Sequence, residues 1–312
     1  MIYMTDLRSS ILKFIGINAD DLLSKVEYKV IESTNENGYK RNLIEFDSFG
    51  DKVIAYLLIP NTVNNNPAVL INHQHNGERH LGKSEVCGLS GNPMQAFGSA
   101  LAQRGFVVLS PDSICFEERR KNGQGIIPLV GEGDFLQHYN EMCYRILKGE
   151  NLMKKVLTDA MNCITLLSQL EFVNQKNVGT LGHSYGGNTV LFLSAIDERI
   201  AFSCASGSGV TYKNRIQNNV GIEMSSVIPG FHRAHDIDDV VCCIAPRCLL
   251  IVSADDDKYS KDADFVVNQA KYSYAMYQAE DNLQHMRYTG GHSLTKERFD
   301  FIVDWINNKA TT

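Results

Sequence analysis

The chain has 312 residues, a formal net charge of −6 and 44% hydrophobic residues. This apolar content is enough for a sizeable core, and the mild acidity without long runs of one sign argues against nucleic acid or a membrane surface as a partner. The segment 1–23 lacks the charged region, apolar run and small-residue cleavage site of a signal peptide. No stretch approaches the ~20 apolar residues of a membrane span. We therefore expect a cytoplasmic protein.

Three strand-like segments come first along the chain, at 27–33, 42–47 and 52–59. They are separated by Asn37-Gly38 and Gly50-Asp51, pairs that favour tight turns between antiparallel strands. Residues 1–60 are therefore predicted to form an N-terminal extension built from a helix and a hairpin.

The pattern then changes to short, continuous apolar runs, which are typical of strands buried on both faces of a parallel sheet. These runs, with a final strand-like segment, are 68–72, 106–110, 177–181, 200–205, 248–252 and 283–288. Helical patterns lie between them at 93–104, 188–196, 261–280 (behind Ser260 as N-cap) and 295–307. Together they predict an α/β-hydrolase fold: a mostly parallel central sheet with antiparallel N-terminal strands and helices on both faces. We expect a single domain over 1–312.

Residues 112–170 separate two predicted core strands by more than a simple crossover needs. The part up to Gly133 is rich in glycine and charge, and 137–170 has the pattern of two helices. This excursion is either a cap that shapes a pocket or a surface elaboration, and both remain open. Residues 112–150 and 207–236 are the segments expected to shape the pocket.

The segment Gly182-His183-Ser184-Tyr185-Gly186-Gly187 contains the pattern G-x-S-x-G. The pattern alone is only suggestive, but here it stands between the strand 177–181 and the helix 188–196, as a nucleophile elbow requires. Glycines relieve crowding where a sharp turn holds a serine above the sheet edge. The sequence therefore predicts a serine hydrolase with Ser184 as nucleophile.

A serine nucleophile needs a base to take its proton and a carboxylate to orient that base, in the chain order Ser, acid, His. The strand 248–252 runs into Ser253-Ala254-Asp255-Asp256-Asp257, where the acid is expected. Asp256 is preferred, with Asp255 and Asp257 as alternatives. His292, after Gly290-Gly291 and before the last helix, is the predicted base.

The oxyanion of the tetrahedral intermediate needs hydrogen-bond donors. One is expected to be the backbone N–H of Tyr185, which follows the nucleophile. The second is expected from the loop after the first long parallel strand, at Gln74 or His75.

Histidines near this loop raise the question of a metal. His73, His75 and His80 include an H-x-H pair, but no carboxylate or cysteine at standard ligand spacing completes a site. His232 and His235 are likewise interpreted as structural. We predict no metal and no cofactor. The eight cysteines form no C-x-x-C pair and lie in apolar patterns, which favours reduced, buried side chains over disulfides.

Several motifs together resemble dienelactone hydrolase-like proteins, including relatives of acetyl xylan esterases and cephalosporin deacetylases. The resemblance covers about residues 50–308, and its motifs lie at 72–77, 82–85, 104–112, 182–187, 244–247 and 291–292. Dienelactone hydrolase itself uses a cysteine nucleophile, whereas this chain has Ser184. The resemblance therefore implies an ordinary carboxylic ester as substrate.

The leading hypothesis is a carboxylic ester hydrolase, of esterase or deacetylase type, acting through an acyl-enzyme. A prolyl oligopeptidase-like peptidase or amidase is the alternative, and a non-catalytic binding protein on the same fold is a third hypothesis. The expected partner is a small-molecule ester, and a homodimer stays open.

Overall fold

The computed structural model describes residues 2–121, 125–129 and 131–311. Within these residues nine strands form one sheet in the order β1-β2-β3-β5-β4-β6-β7-β8-β9. The strands are β1 (Tyr28–Asn35), β2 (Tyr39–Ser48), β3 (Asp51–Pro60), β4 (Asn66–Asn72), β5 (Val107–Pro111), β6 (Val173–His183), β7 (Phe202–Ser206), β8 (Cys248–Ala254) and β9 (Leu283–Tyr288).

The first three strands form an antiparallel meander, and β3 also pairs antiparallel with β5. All pairs from β5 through β4 to β9 are parallel. The fold class predicted from the sequence is therefore confirmed. The chain moves from β4 outward to β5 and then returns to β6 on the other side of β4. Such a reversal opens a crevice at the carboxyl ends of the strands, where α/β proteins bind ligands.

Helices cover both faces of the sheet. They are α1 (Ile2–Ile15), α2 (Lys83–Val86), α3 (Phe97–Ala102), α4 (Gly133–Leu147), α5 (Leu152–Gln169), α6 (Tyr185–Ile196), α7 (Tyr212–Gln217), α8 (Ile237–Cys242), α9 (Ala263–Ala275) and α10 (Lys296–Thr311). One apolar core joins the sheet to α1, α5, α6, α8 and α9, and includes Ile11 and Leu157. The other joins the opposite face to α3 and α10, and includes Phe97 and Trp305. Two covered faces explain why the central strands are apolar throughout.

The helix predicted at 261–280 is shorter than expected, and Ser260 is not its N-cap. The helix α9 begins behind Asp262 and ends at Ala275. The Ser260 hydroxyl instead donates to a carboxylate oxygen of Asp257 at 2.7 Å and accepts from the Ala254 N–H at 3.3 Å. The Ser260 hydroxyl is therefore directed towards Asp257 and Ala254 instead of the first N–H groups of α9.

The excursion at 112–170 contains α4 and α5, which differ in burial. The helix α5 is buried along most of its length, whereas His138 is the one fully buried side chain of α4. An ion pair of 2.8 Å between Arg119 and Asp159 ties the start of the excursion to α5, and Arg120 pairs with Asp134 at the start of α4. Residues 122–124 and 130 of the excursion lie outside the described residues. A role as a cap stays a prediction.

All eight cysteines are free, and five of them are buried. None of the helices in the described part of the chain is both long enough and apolar enough to cross a bilayer.

Candidate active site

Ser184 lies at the sharp turn between the end of β6 and the start of α6. Its backbone angles are φ 58° and ψ −115°, a region that residues other than glycine rarely occupy. The turn is also tight against its neighbours, because a Cβ atom on Gly186 would lie 2.0 Å from the carbonyl oxygen of Asn72. Only glycine fits at that position. The fold therefore holds the Ser184 hydroxyl at the carboxyl edge of the sheet in a strained, fixed turn.

The Ser184 hydroxyl begins a hydrogen-bonded relay. Its oxygen lies 2.8 Å from Nε2 of His292, and Nδ1 of His292 lies 3.0 Å from Oδ1 of Asp257. Since an ionised carboxylate only accepts, Nδ1 carries the proton and Nε2 presents its lone pair to the serine. This is the tautomer in which a histidine can take the serine proton.

The preference for Asp256 as the orienting acid is wrong in the structure, which places Asp257 against His292. Asp255 and Asp256 are exposed in the turn after β8. Asp255 accepts a hydrogen bond from the Gly290 N–H at 2.8 Å, and the Asp256 N–H donates to the Gly290 carbonyl at 3.0 Å. The strand continues to Ala254, two residues beyond its predicted end. In the turn that follows, Asp257 is the one of the three aspartates that is buried.

The Asp257 carboxylate is buried but fully hydrogen-bonded. In addition to His292, it accepts from the Tyr259 N–H at 2.9 Å and from the Ser260 hydroxyl. Burial alone would raise the pKa of Asp257, but the hydrogen bonds and charge of His292, with those from Ser260 and Tyr259, outweigh it and lower the pKa below its usual value. Asp257 is therefore an anion near neutral pH.

Arg298, in the first turn of α10, stabilises the loop that carries His292. Its guanidinium donates to the carbonyl of Gly291 at 2.7 Å and to that of Thr289 at 3.0 Å. Arg298 is almost fully buried. Sequence reasoning missed this residue, since an arginine in a C-terminal helix carries no local signal of such a contact.

The imidazole ring of His183 packs against that of His292. The two ring centroids lie 4.9 Å apart, and Nδ1 of His183 lies 3.0 Å from the Ser206 hydroxyl. Burial, and then the proximity of His292, lower the pKa of His183 to about 3. A Cβ atom on Gly207 would lie 2.6 Å from His183 and 3.0 Å from His292. The two imidazoles therefore occupy the space at the end of β7.

The predicted oxyanion residues take different positions. Tyr185, at the start of α6, and His75 both line the cavity beside Ser184. Gln74 is turned away, and its amide donates to the Glu85 carboxylate at 3.0 Å and accepts from Gln95 at 3.2 Å. The assignment of the oxyanion donors stays a prediction, and the lining favours the backbone at His75 over that at Gln74.

The other predicted histidines have structural contacts. His73 uses both ring nitrogens, one against the Gln74 carbonyl at 2.7 Å and the other accepting from the Ser113 N–H at 3.0 Å. His232 contacts Asp236 at 3.2 Å. His235 contacts the Ser10 hydroxyl at 2.7 Å. His80 belongs to neither candidate ligand group found in the described residues.

The site opens into a cavity of about 320 Å³. Its lining comes from several loops and consists of His75, Asn76, Gly77, Ser184, Tyr185, Asn188, Gly207, Arg215, Gly221, Ile222, Glu223, Tyr259 and His292. Within the expected segment 207–236, the sequence did not single out Arg215 or Glu223. Tyr259 was missed as well. These residues belong to no motif, and only the fold brings them to the serine.

A mostly parallel sheet with a strained serine turn at its carboxyl edge defines an α/β-hydrolase. The model of the prolyl oligopeptidase family matches residues 130–311, more than half of the chain. The protein belongs to this family and is a hydrolase.

Known proteins similar to this chain carry hydrolase and esterase names. A relative in Bacillus subtilis (strain 168), "Putative hydrolase YtaP", is 25% identical over 309 residues, which cover 96% of this chain and 98% of that protein. A "putative acetyl xylan esterase" from Bacteroides fragilis NCTC 9343 has a similar structure, with a TM-score of 0.76, 15% identity, and coverage of 92% of this chain and 74% of that one. A glucuronoyl esterase from Solibacter usitatus has a TM-score of 0.65 and 13% identity, covering 97% and 91%. At these identities the structures establish the fold.

Proposed function

We propose that the protein hydrolyses a carboxylic ester, with Ser184 as nucleophile, His292 as general base and Asp257 as the carboxylate that orients it. The observation that carries this proposal is the relay of 2.8 Å and 3.0 Å from the serine oxygen through the imidazole to a buried carboxylate. The esterase names of structurally similar proteins support an ester over other acyl compounds. A cavity of about 320 Å³ suits a small molecule.

The reaction follows from the geometry. His292 takes the Ser184 proton at Nε2 as the serine oxygen attacks the ester carbonyl, and the imidazolium is stabilised by Asp257. The N–H of Tyr185, at the N-terminus of α6, and that of His75 are proposed to stabilise the oxyanion. His292 then protonates the leaving alcohol. A water molecule activated by the same histidine releases the acid and restores Ser184.

The test is Ser184→Ala assayed on short p-nitrophenyl esters, with labelling by a fluorophosphonate. We expect the wild-type chain to be labelled and the variant to lose labelling and about 10⁴-fold or more in kcat. Ser24→Ala, at an exposed serine, is the control and should match wild type. Wild-type hydrolysis by the Ser184 variant would refute the proposal.

Peptide or amide hydrolysis is the second candidate, because the family model that matches the chain is that of prolyl oligopeptidases. The same relay can attack an amide carbonyl. A panel of peptide–coumarin substrates run beside the esters separates the two. We expect kcat/KM to be higher for the esters by at least two orders of magnitude, and higher values for a peptide would favour the second candidate.

A further inference from the structure

A second group of polar side chains lies beside the same cavity: two of its three members line the cavity, and the third, His138, is buried next to them. Its members are His75 in the loop after β4, His138 in α4 and Glu223 in the loop after α7. One ligand atom from each lies within 4.8 Å of the others, and Nε2 of His75 is 3.9 Å from Oε2 of Glu223. His75 and Glu223 line the cavity with Ser184. We call these three residues the polar pocket.

Both histidines in the polar pocket have an unsatisfied nitrogen. His138 is fully buried, and among the described residues Nε2 of His138 and Nε2 of His75 have no hydrogen-bond partner. A buried N–H without a partner costs free energy comparable to a lost hydrogen bond. A ligand that accepts hydrogen bonds from both nitrogens would satisfy them, and the carboxylate beside them could accept a hydrogen bond from the same ligand.

The opposite ring nitrogens determine where the protons are. Nδ1 of His138 lies 3.1 Å from Nε of Arg79, and Nδ1 of His75 lies 3.0 Å from the Gly77 N–H. Arginine and a backbone amide only donate, so each Nδ1 must accept. Burial lowers the pKa of both histidines; for His138 the charge of Arg79 lowers it further, and for His75 burial outweighs the opposing effect of Glu223. Each ring is thus neutral and carries its one proton on Nε2.

This protonation state decides what the polar pocket can bind. A metal ion needs a lone pair on Nε2, and a metal-ligating histidine normally donates through its other nitrogen. Here both other nitrogens accept, so the arrangement opposes a metal. The pocket instead offers two N–H donors and one carboxylate oxygen, Oε2 of Glu223. The other oxygen of Glu223 already accepts from the Met224 N–H at 2.9 Å.

We infer that the polar pocket binds a hydroxyl group of the ester substrate. A hydroxyl oxygen has two lone pairs for the N–H groups of His75 and His138, and its single hydrogen can be donated to Glu223. The substrate class is therefore an ester with a hydroxyl group on its acyl or alcohol part. This inference rests on the proposed function, because it gives the ester a second point of attachment in the same cavity.

Matched pairs of esters test the inference, one pair for each side of the ester bond. Ethyl lactate is compared with ethyl 2-methylpropanoate, and 2-hydroxyethyl acetate with propyl acetate, so that a hydroxyl replaces a methyl group. Hydrolysis is followed by proton release. For at least one pair we expect kcat/KM to favour the hydroxylated ester about tenfold or more, since a site built for a hydroxyl rejects the analogue without it.

Variants separate recognition from the intrinsic reactivity of the esters. In Glu223→Gln, and independently in His138→Leu, the ratio of kcat/KM for the preferred pair should fall about tenfold relative to wild type. Glu280→Gln and His232→Gln change an exposed glutamate and an exposed histidine outside the cavity and should keep the wild-type ratio. If His138→Leu does not fold, Glu223→Gln still decides the question.

Three results would overturn the inference. The first is that the wild-type enzyme is labelled at Ser184 and hydrolyses the esters, but with the same kcat/KM for the two members of each pair. This result would leave the proposed function intact. The second is that calorimetry shows stoichiometric binding of Zn²⁺ to the wild-type enzyme and that Glu223→Gln abolishes this binding. The polar pocket would then be a metal site. The third is failure of every ester together with absence of labelling, in which case the proposed function fails first.

Discussion

The two walls of the cavity differ in how completely their polar atoms are paired. On one wall, Ser184, His292 and Asp257 satisfy one another, and Asp257 has further donors from Tyr259 and Ser260. In the polar pocket, two buried ring nitrogens have no partner among the described residues. The polar atoms of the relay are thus paired within the protein, whereas those of the polar pocket are not. This contrast supports the proposal that the relay performs the chemistry and the inference that the polar pocket selects the substrate.

The origin of the two walls in the chain explains this division. The relay residues follow the carboxyl ends of β6, β8 and β9, which the sheet holds in register. The polar pocket is assembled from the loop after β4, from α4 and from a loop after β7. Loops and excursions vary more readily than a sheet edge. The inferred substrate selectivity would therefore lie in the part of the fold that tolerates change most readily.

After replacement of the nucleophile itself, the largest effect is expected at the orienting carboxylate. Asp257→Asn should lower kcat by about 10³- to 10⁴-fold, because an amide no longer selects the imidazole tautomer that accepts the serine proton. Asp256→Asn is the matched control in the same turn and should retain near wild-type kcat, since that side chain is exposed. Steady-state kinetics on one ester measures both. The opposite ranking would restore the sequence-based preference for Asp256.

A smaller effect is expected at the tight turn. Gly186→Ala introduces a Cβ atom 2.0 Å from the Asn72 carbonyl oxygen, so the loop after β4 must move. We expect the free energy of unfolding to fall by about 2–4 kcal/mol, as for other backbone clashes in a core. Gly221→Ala, where nothing lies within 4 Å of the added atom, is the control. Urea unfolding compares the two, and equal stability would show that the elbow is less rigid than the relay implies.

Stability should also fall as the pH is lowered from 7.5 to 5. The pKa of His73 is lowered to about 4 and that of His183 to about 3, so the unfolded chain binds more protons than the folded one below about pH 6.5. Each histidine should contribute a loss of about 2 kcal/mol between these pH values. Urea unfolding of His183→Gln tests this. Its loss on acidification should be smaller than that of wild type by that amount, and an unchanged loss would contradict the burial of a neutral His183.

The smallest effect is expected at Ser260. This residue positions Asp257 and does not touch substrate, so Ser260→Ala should lower kcat about three- to tenfold with little change in KM. Ser260→Thr retains a hydroxyl and should recover part of the loss. A change confined to KM would instead place Ser260 in substrate binding and weaken the contrast between the two walls.

The parts of the site that the sequence predicts are local ones. The elbow is recognisable because its glycines and its strand are adjacent in the chain, and His292 because it follows a strand and two glycines. The orienting acid is missed by one residue, since three consecutive aspartates differ only in where β8 ends. The sequence predicts that 112–150 and 207–236 shape the pocket but does not single out His138 and Glu223 within them, because their juxtaposition spans 85 residues of chain. Serine is a residue type typical of helix N-caps, but the hydroxyl of Ser260 donates its hydrogen bond to Asp257 instead.

The helix α4 has one fully buried side chain, His138, and otherwise presents partly or fully exposed residues. Substitutions at its exposed positions are therefore expected to cost little stability, whereas the buried His138 belongs to the polar pocket. The sequence of α4 can therefore diverge in evolution without disturbing the relay. On the inferred role of the polar pocket, substitutions at His138 and Glu223 are expected to change which ester is preferred while Ser184, His292 and Asp257 keep their positions.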